Sequence, residues 1–267
     1  MTGAGVNGEA LIPESSYFVS LLNGASIAAA DLGYSLVLAP PGASDDAIAR
    51  LHVDGMIVVD PVGQESGLTS GAVPVVATGR PPRSAPSAIW VDNDHREAAW
   101  SALNHLCAQG YRYPALITRP GRQSYLVDAA AAYRSWCREH RVEPVIVRVP
   151  GPLSEDHTAE AVARLLRSRP DVDGVYATLD RLAIGALMGA EGAGHEVGGT
   201  VGIAALPDSP LLLAARPQIT AIDLRPEEIG RQAARLLVRL VGGEAAETSV
   251  MVGTELRQRS STGPARK

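Results

Sequence analysis

The stretch that decides the fold runs Asp173-Gly174-Val175-Tyr176-Ala177-Thr178 and continues, after one residue, as Asp180-Arg181-Leu182-Ala183-Ile184-Gly185-Ala186. A short apolar strand is entered through a glycine, and a helix follows whose first residue is an acid suited to capping. A similar arrangement occurs earlier, where Asp54-Gly55-Met56-Ile57-Val58-Val59 ends in Asp60. Two copies of a buried strand with an acid near its carboxyl end predict two related units.

Short apolar runs of this kind alternate with helical patterns along nearly the whole chain. Most of the predicted strands are apolar on both alternations, which is typical of parallel strands covered by helices on each face. They are too many for one open sheet. The sequence therefore predicts an α/β fold with two doubly wound parallel-sheet lobes. The predicted strands are Val6–Ile12, Ser35–Ala39, Met56–Val59, Val73–Ala77, Ala88–Val91, Ala115–Thr118, Val145–Val149, Val175–Thr178, Val201–Ala205, Ile219–Asp223 and Ser249–Leu256.

Composition disfavours several classes of function. The chain has 267 residues, 46% of them hydrophobic, and a formal net charge of −5. Its first sixty residues contain a single arginine, Arg50, so no basic face for DNA is expected there. No signal peptide and no apolar run of about 20 residues is visible, which predicts a cytoplasmic protein without membrane contact. Cys107 and Cys137 are expected to be buried, reduced thiols.

No pattern in the sequence assembles a catalytic or metal site. Gly3–Gly8 spells GxGxxG but runs into a strand, whereas a dinucleotide loop must follow one. Gly67–Gly71 places its serine one position late for a nucleophile elbow. His95, His105 and His195 lack metal-binding spacing. We therefore predict a protein that is not an enzyme and that uses no cofactor and no metal.

An ordered series of short motifs extends over residues 6–260 and resembles the effector-binding region of the LacI/GalR family of repressors, which shares the fold of periplasmic sugar-binding proteins. The series comprises Leu11–Phe18, Ala30–Leu36, Val53–Ile57, Val91–Asn93, His105–Leu106, Gly110–Arg112, Asp180–Ala186, Pro217–Ile222 and Glu228–Ala234.

The resemblance implies a domain organisation, which we state as an expectation. A first lobe would contain residues 1–91 with 224–242, and a second lobe residues 92–223 with 243–260, joined by three crossovers. Residues 261–267 would form a disordered tail. The resemblance also implies a homodimer, with Gln64–Ser70 as a weakly charged contact surface. A helix-turn-helix head would precede residue 6, where the sequence leaves no room for it, so operator DNA is expected to be contacted only through a head absent from this chain.

The resemblance further implies a small-molecule effector in the cleft between the lobes. From it, and from the general rule that ligands lie beyond the carboxyl ends of parallel strands, we predict a set of contacts. They are Ser15, Ser16, Phe18, Arg80 and Trp90 in the first lobe, Tyr125, Asp180, Arg181 and Asp208 in the second, and Asp223 at the crossover. Capping explains Asp180 equally well, and a helix cap with a hydrophobic staple explains the serines and Phe18 equally well.

The sequence departs from sugar-responsive members at three positions. Where those members carry Arg, Asn and Asp, this sequence has Ala129, Leu179 and Ala205. We therefore expect weak binding of simple hexoses and pentoses, and a ligand that is partly apolar or anionic. Two alternative functions stay open at this point: a transport-type solute-binding protein and a nucleotide-using α/β enzyme.

Overall fold

A computed structural model describes residues 16–39, 48, 50–63, 73–82, 89–244 and 249–266. The predicted strand Val6–Ile12 and the surface Gln64–Ser70 lie outside these residues. The chain divides into two compact units, Met1–Asn93 with Arg225–Gly253 and Asp94–Leu224 with Thr254–Lys267. It passes from one unit to the other three times, after Asn93, Leu224 and Gly253.

Helices and strands alternate along the chain. In order they are α1 (Ser16–Asp31), β1 (Met56–Val59), β2 (Val75–Thr78), β3 (Ile89–Asp92), α2 (His95–Ala108), β4 (Pro114–Thr118), α3 (Ser124–His140), β5 (Ile146–Arg148), α4 (Glu155–Ser168), β6 (Gly174–Ala177), α5 (Asp180–Gly192), β7 (Gly202–Ala205), α6 (Pro210–Ala214), β8 (Thr220–Asp223), α7 (Pro226–Val241), β9 (Ser249–Met251), β10 (Glu255–Arg257) and a 3-10 turn (Ser260–Thr262).

The first unit has a parallel sheet in the order β1-β2-β3-β9. Helices α1 and α7 pack on each other and bury apolar side chains together with those of the strands, among them Leu21, Ile57, Val91 and Ile229. The segment Ser35–Ala39, predicted as a strand, has no strand pairing among the described residues.

The second unit has a sheet in the order β10-β8-β7-β6-β4-β5, parallel except that β10 runs antiparallel to β8. Helices α4 and α5 pack together, and α5 contacts β6 and β7. Helices α2 and α3 pack together as a second pair, with α2 against β6, β7 and β8. Strand β6 is buried at every position, as the stretch from Asp173 predicts.

The C-terminal part of the chain differs from the expected domain boundaries. Ser249–Leu256 was predicted as one strand of the second lobe, but β9 pairs with β3 in the first unit and β10 pairs with β8 in the second. The chain therefore crosses between units inside the predicted strand, because each half has its own pairing partner.

The tail also differs from the expectation of disorder. Ser261 and Thr262 are fully buried. The Ser261 hydroxyl donates to the Ile203 carbonyl (2.6 Å) and accepts from the Thr220 amide (2.8 Å), and the Tyr111 hydroxyl donates to the Gly263 carbonyl (2.9 Å). Further along, the Ala265 amide donates to the Gln109 carbonyl (2.8 Å) and the Arg266 amide donates to the Gly199 carbonyl (3.0 Å), so the segment is held against the second unit up to Arg266.

Candidate functional site

The carboxyl ends of the parallel strands in the second unit bring polar side chains to one edge of the sheet. Thr118 ends β4, Thr178 follows β6, Ser209 follows β7 and Asp223 ends β8. Thr178 donates through its Oγ1 to Thr118 Oγ1 at 3.0 Å, and both threonines are buried. In a parallel α/β sheet this edge faces the helix N-termini and is where ligands bind.

Helix N-termini meet at the same edge, and acids stabilise most of them. Asp94 caps α2 by accepting from the Arg96 and Glu97 amides (2.9 and 3.0 Å). The Asp180 carboxylate accepts from the Arg181 amide at 2.8 Å in the first turn of α5. Helix α3 has no acidic residue in its first turn, and the side chain of its N-cap, Gln123, makes no capping hydrogen bond.

Several charged side chains at this edge form ion pairs with other side chains of the protein. Arg181 binds both carboxylate oxygens of Glu155 (2.7 and 3.0 Å). This hydrogen-bonded guanidinium holds the pKa of the Glu155 carboxyl below its ordinary value. Arg259 binds both oxygens of Asp208 (2.7 and 2.6 Å). Arg257 lies 3.3 Å from Asp223. Arg181, Asp208 and Asp223 therefore each form an ion pair within the protein. The sequence analysis did not predict these pairs.

Three buried polar atoms at strand carboxyl ends have no hydrogen-bond partner among the described residues: Thr78 Oγ1, Gln123 Oε1 and Ser209 Oγ. Thr78 ends β2 in the first unit, whereas Gln123 and Ser209 follow β4 and β7 in the second. These residues are 2%, 6% and 5% exposed. A buried polar atom left unpaired costs about 1–3 kcal/mol, so such atoms mark places where a bound ligand can supply the partner.

The other predicted ligand contacts differ in their burial and in the residues around them. Tyr125 lies in the first turn of α3, half-buried, with its ring 6.0 Å from that of His95. Phe18 packs against the core of the first unit, next to the Tyr17 ring at 5.7 Å. Ser16 begins α1. Ser15 lies outside the described residues.

Two further contacts predicted for the first lobe lie on or near β3. The Arg80 amide donates to the Asp92 carboxylate at 2.9 Å, close to the carboxyl end of β3. Trp90 lies within β3, paired with Ala77 and Ser249, and is half-buried. Trp90 thus lies two positions before the strand end, whereas Arg80 lies beside it.

The three positions that are expected to depart from sugar-responsive members all lie in the second unit. Ala129 and Ala205 are fully buried, in α3 and at the end of β7. Leu179 packs against the core of the second unit. The polar side chains after β7 are therefore those of Asp208 and Ser209, three and four residues beyond Ala205.

Sequence analysis missed Gln123, Ser209 and Thr78 as candidate site residues. Each has a common residue type and no motif. Only their position in the sequence could have indicated them, because each residue follows a predicted strand. Among the residues that the structure describes, no group of three or more His, Cys, Asp or Glu side chains could hold a metal ion, and no helix is both long and apolar enough to cross a membrane.

Two parallel α/β units joined by three chain crossings, with polar side chains at the strand carboxyl ends, define a ligand-binding domain of the periplasmic-binding-protein type. The family model for a periplasmic binding protein-like domain matches residues 103–262.

Comparisons with known proteins identify the family. The transcriptional regulator CelR of Thermobifida fusca is 30% identical over 262 residues, which are 92% of this chain and 76% of the relative. The ribose operon repressor of Halalkalibacterium halodurans is 24% identical over 89% of this chain and 73% of its own length. A solved CelR–cellobiose complex superposes with a TM-score of 0.83 at 26% identity, covering 97% of this chain and 83% of that one.

The lac repressor dimer bound to operator and an anti-inducer has the same fold, with a TM-score of 0.83 at 18% identity, over 98% of this chain and 80% of that one. The chain belongs to the LacI/GalR family of transcriptional regulators. It contains the effector-binding domain of such a regulator, as the sequence predicted.

Proposed function

We propose that this domain binds a small organic effector at the carboxyl ends of its parallel strands, that it does so without catalysis, and that binding controls transcription through a homodimer. Gln123 and Ser209 are the proposed contacts in the second unit, together with Tyr125 and Asp180, and Thr78 is a separate candidate in the first unit. Ser16, Phe18, Arg80 and Trp90 stay candidates in the first unit, and Ser15, which lies outside the described residues, stays a prediction from the sequence. We assign Arg181, Asp208 and Asp223 a structural role and not a contact with the ligand, because each of them forms an ion pair within the protein.

A single observation carries the binding proposal: in the second unit, Gln123 Oε1 in the turn after β4 and Ser209 Oγ in the loop after β7 are buried and have no hydrogen-bond partner among the described residues. Polar atoms elsewhere in the helices and loops are commonly paired, as Thr158 illustrates by donating to the Ser154 carbonyl at 2.9 Å. An effector that forms a hydrogen bond with Gln123 or Ser209 removes the desolvation cost that the unpaired group has in the free protein. This favours a ligand with polar groups at defined positions.

Binding is tested with the Ser209→Ala variant and a thermal-shift screen of sugars, sugar acids and sugar phosphates, followed by titration calorimetry of any hit. We expect one compound class to raise Tm saturably. Ser209→Ala is expected to weaken its affinity about tenfold, the effect of one lost hydrogen bond, while the stability of the free protein stays equal or rises.

The matched control is Thr158→Val. Its hydroxyl has a protein partner, so we expect lower stability with unchanged affinity. If Ser209→Ala destabilises the free protein and leaves affinity unchanged, the hydroxyl is structural and the proposed contact is wrong.

The homodimer proposal rests on α1. From Ser16 to Ala30 this helix has no charged residue, and its outer face exposes Val19 (54%) and Ile27 (48%). Stable dimers bury about 1,200 Å² or more, with an apolar centre. An uncharged helix face with exposed branched aliphatic side chains suits the centre of such an interface.

Sedimentation equilibrium of the Ile27→Glu variant tests this surface. We expect the wild-type chain to be dimeric at micromolar concentration and the variant to be monomeric, because a buried carboxylate without a partner opposes association. The control is Tyr113→Glu, an equally exposed position (46%) in the second unit, which should leave the dimer intact. A dimeric Ile27→Glu protein would place the interface elsewhere.

A further inference from the structure

Ser209 can form a hydrogen bond that the described part of the protein does not supply. The residue follows β7 and directly precedes α6 as its N-cap, yet its hydroxyl accepts no capping hydrogen bond from the first turn of the helix. Its Oγ is buried and has no partner among the described residues, whereas its carbonyl accepts from the Leu212 amide at 3.1 Å. The backbone of Ser209 is therefore bonded within the protein, while its hydroxyl stays available.

The carboxylate of Asp208 fixes the position of Ser209. Asp208 Oδ1 accepts a hydrogen bond from the Ser209 amide at 2.8 Å. The Asp208 amide donates to the Ile222 carbonyl in β8 at 2.8 Å, so the residue before Ser209 is bonded through both its backbone and its side chain. Sequence analysis predicted Asp208 as a ligand contact, but both oxygens of its carboxylate accept hydrogen bonds from groups of the protein.

Arg259, on the segment after β10, holds the Asp208 carboxylate in place. Its guanidinium donates to both oxygens of Asp208, one of which is the oxygen that accepts from the Ser209 amide. Arg259 Nη1 also donates to the Ile219 carbonyl at 2.8 Å, and the Arg259 amide donates to Thr220 Oγ1 at 2.9 Å. One chain of hydrogen bonds therefore runs from the start of β8 through Arg259 and Asp208 to Ser209.

We infer that Arg259 is a positioning residue for the effector site: it acts through Asp208 to hold Ser209 where the serine hydroxyl meets the effector, and it does not contact the effector itself. This inference rests on the proposed function and adds a residue that governs affinity at the same site. A polar group that is already held in position needs no ordering when a ligand binds, so less free energy is lost on binding. Without the guanidinium, the partly buried Asp208 carboxylate loses its cation, turns towards water and releases the Ser209 amide.

The first test needs no ligand. Amide hydrogen exchange is measured by NMR in the wild-type chain and in the Arg259→Met variant, well below the Tm of both. We expect the Ser209 amide to exchange about tenfold faster or more in the variant, because Asp208 no longer holds it. The Thr158 amide, which donates to the Ser154 carbonyl at the start of α4, should change far less. If the Ser209 amide exchanges no faster in the variant, the inference is overturned whether or not any compound binds.

The second test is titration calorimetry of the whole chain with gluconate, glucose 6-phosphate and glucose, and with any other compound that raises Tm in the thermal-shift screen. For a compound that binds, Ser209→Ala and Arg259→Met are each expected to weaken affinity about tenfold. The double variant should also lose about tenfold and not about a hundredfold, because Arg259 acts through Ser209. Arg259→Lys, which keeps the charge but not the two-bond geometry, should bind more tightly than Arg259→Met.

Thr158→Val is the matched control for stability, since it should lower Tm and leave affinity unchanged. If Arg259→Met behaves in the same way while Ser209→Ala weakens binding, Arg259 is only structural; the inference then fails and the proposed function stands. Losses that multiply in the double variant would mean that Arg259 acts on the effector independently of Ser209, which also overturns the inference. If no compound of the screen binds, the proposed function fails and the inference fails with it.

Discussion

Replacing Gly230 by alanine is expected to lower the free energy of unfolding of the first unit by about 3 kcal/mol or more. A Cβ at position 230 would lie 2.0 Å from the Leu21 carbonyl oxygen and 2.9 Å from the Ala25 amide nitrogen, well inside van der Waals contact. The obstacle is helix backbone, which cannot rotate away as a side chain can. Gly24 makes the reciprocal approach, 2.0 Å from the Glu227 carbonyl oxygen. Helices α1 and α7 would have to separate.

Urea unfolding measures the loss, and hydrogen exchange locates it in α1 and α7. The matched control is Gly192→Ala, at the end of α5, where a Cβ meets nothing within 4 Å. There alanine should be neutral or stabilising, because it restricts the unfolded chain. Equal effects of the two substitutions would contradict the close packing of α1 on α7.

Replacing Asp208 by alanine is expected to cost about 3 kcal/mol of stability, because it leaves the Arg259 guanidinium largely buried without its anion. The side chains of Arg259 and Asp208 are 13% and 19% exposed. Arg259 also donates to the Ile219 carbonyl at 2.8 Å, so the pair ties the chain after β10 to the loop after β7. The measurement is the midpoint and slope of urea unfolding.

The control is Asp171→Ala. Asp171 forms a similar two-bond pair with Arg169 (2.9 Å for both bonds), but these side chains are 46% and 35% exposed. Solvent screens such a pair, so we expect no measurable change. In a double-mutant cycle, Arg259→Met should recover part of the loss caused by Asp208→Ala. Additive losses would mean that the two side chains do not stabilise each other.

The strands of the second unit were predictable because their signal is local. In β6 and β7 every residue is buried, so continuous apolar runs indicate them directly. The strand Met56–Val59 was predicted with the bounds that the structure shows, since Gly55 and Asp60 interrupt the apolar run on both sides.

The candidate site was less predictable, because its charges depend on distant partners. Arg181 and Glu155 are 26 residues apart, and Asp208 and Arg259 are 51 residues apart. Sequence analysis could not tell a paired arginine from an unpaired one. It therefore predicted Arg181 as a ligand contact, although that guanidinium is paired with Glu155.

By itself the sequence determined the α/β class, the two sheets and the family, because apolar periodicity and an ordered series of motifs are properties of neighbouring residues. The tertiary structure alone decided that Ser249–Leu256 divides between β9 and β10, that Ser261 and Thr262 are buried, and which charged groups are neutralised. Strand pairing, burial of polar side chains and ion pairing each join residues far apart in the chain. Their free energies therefore depend on distances that only the folded molecule defines.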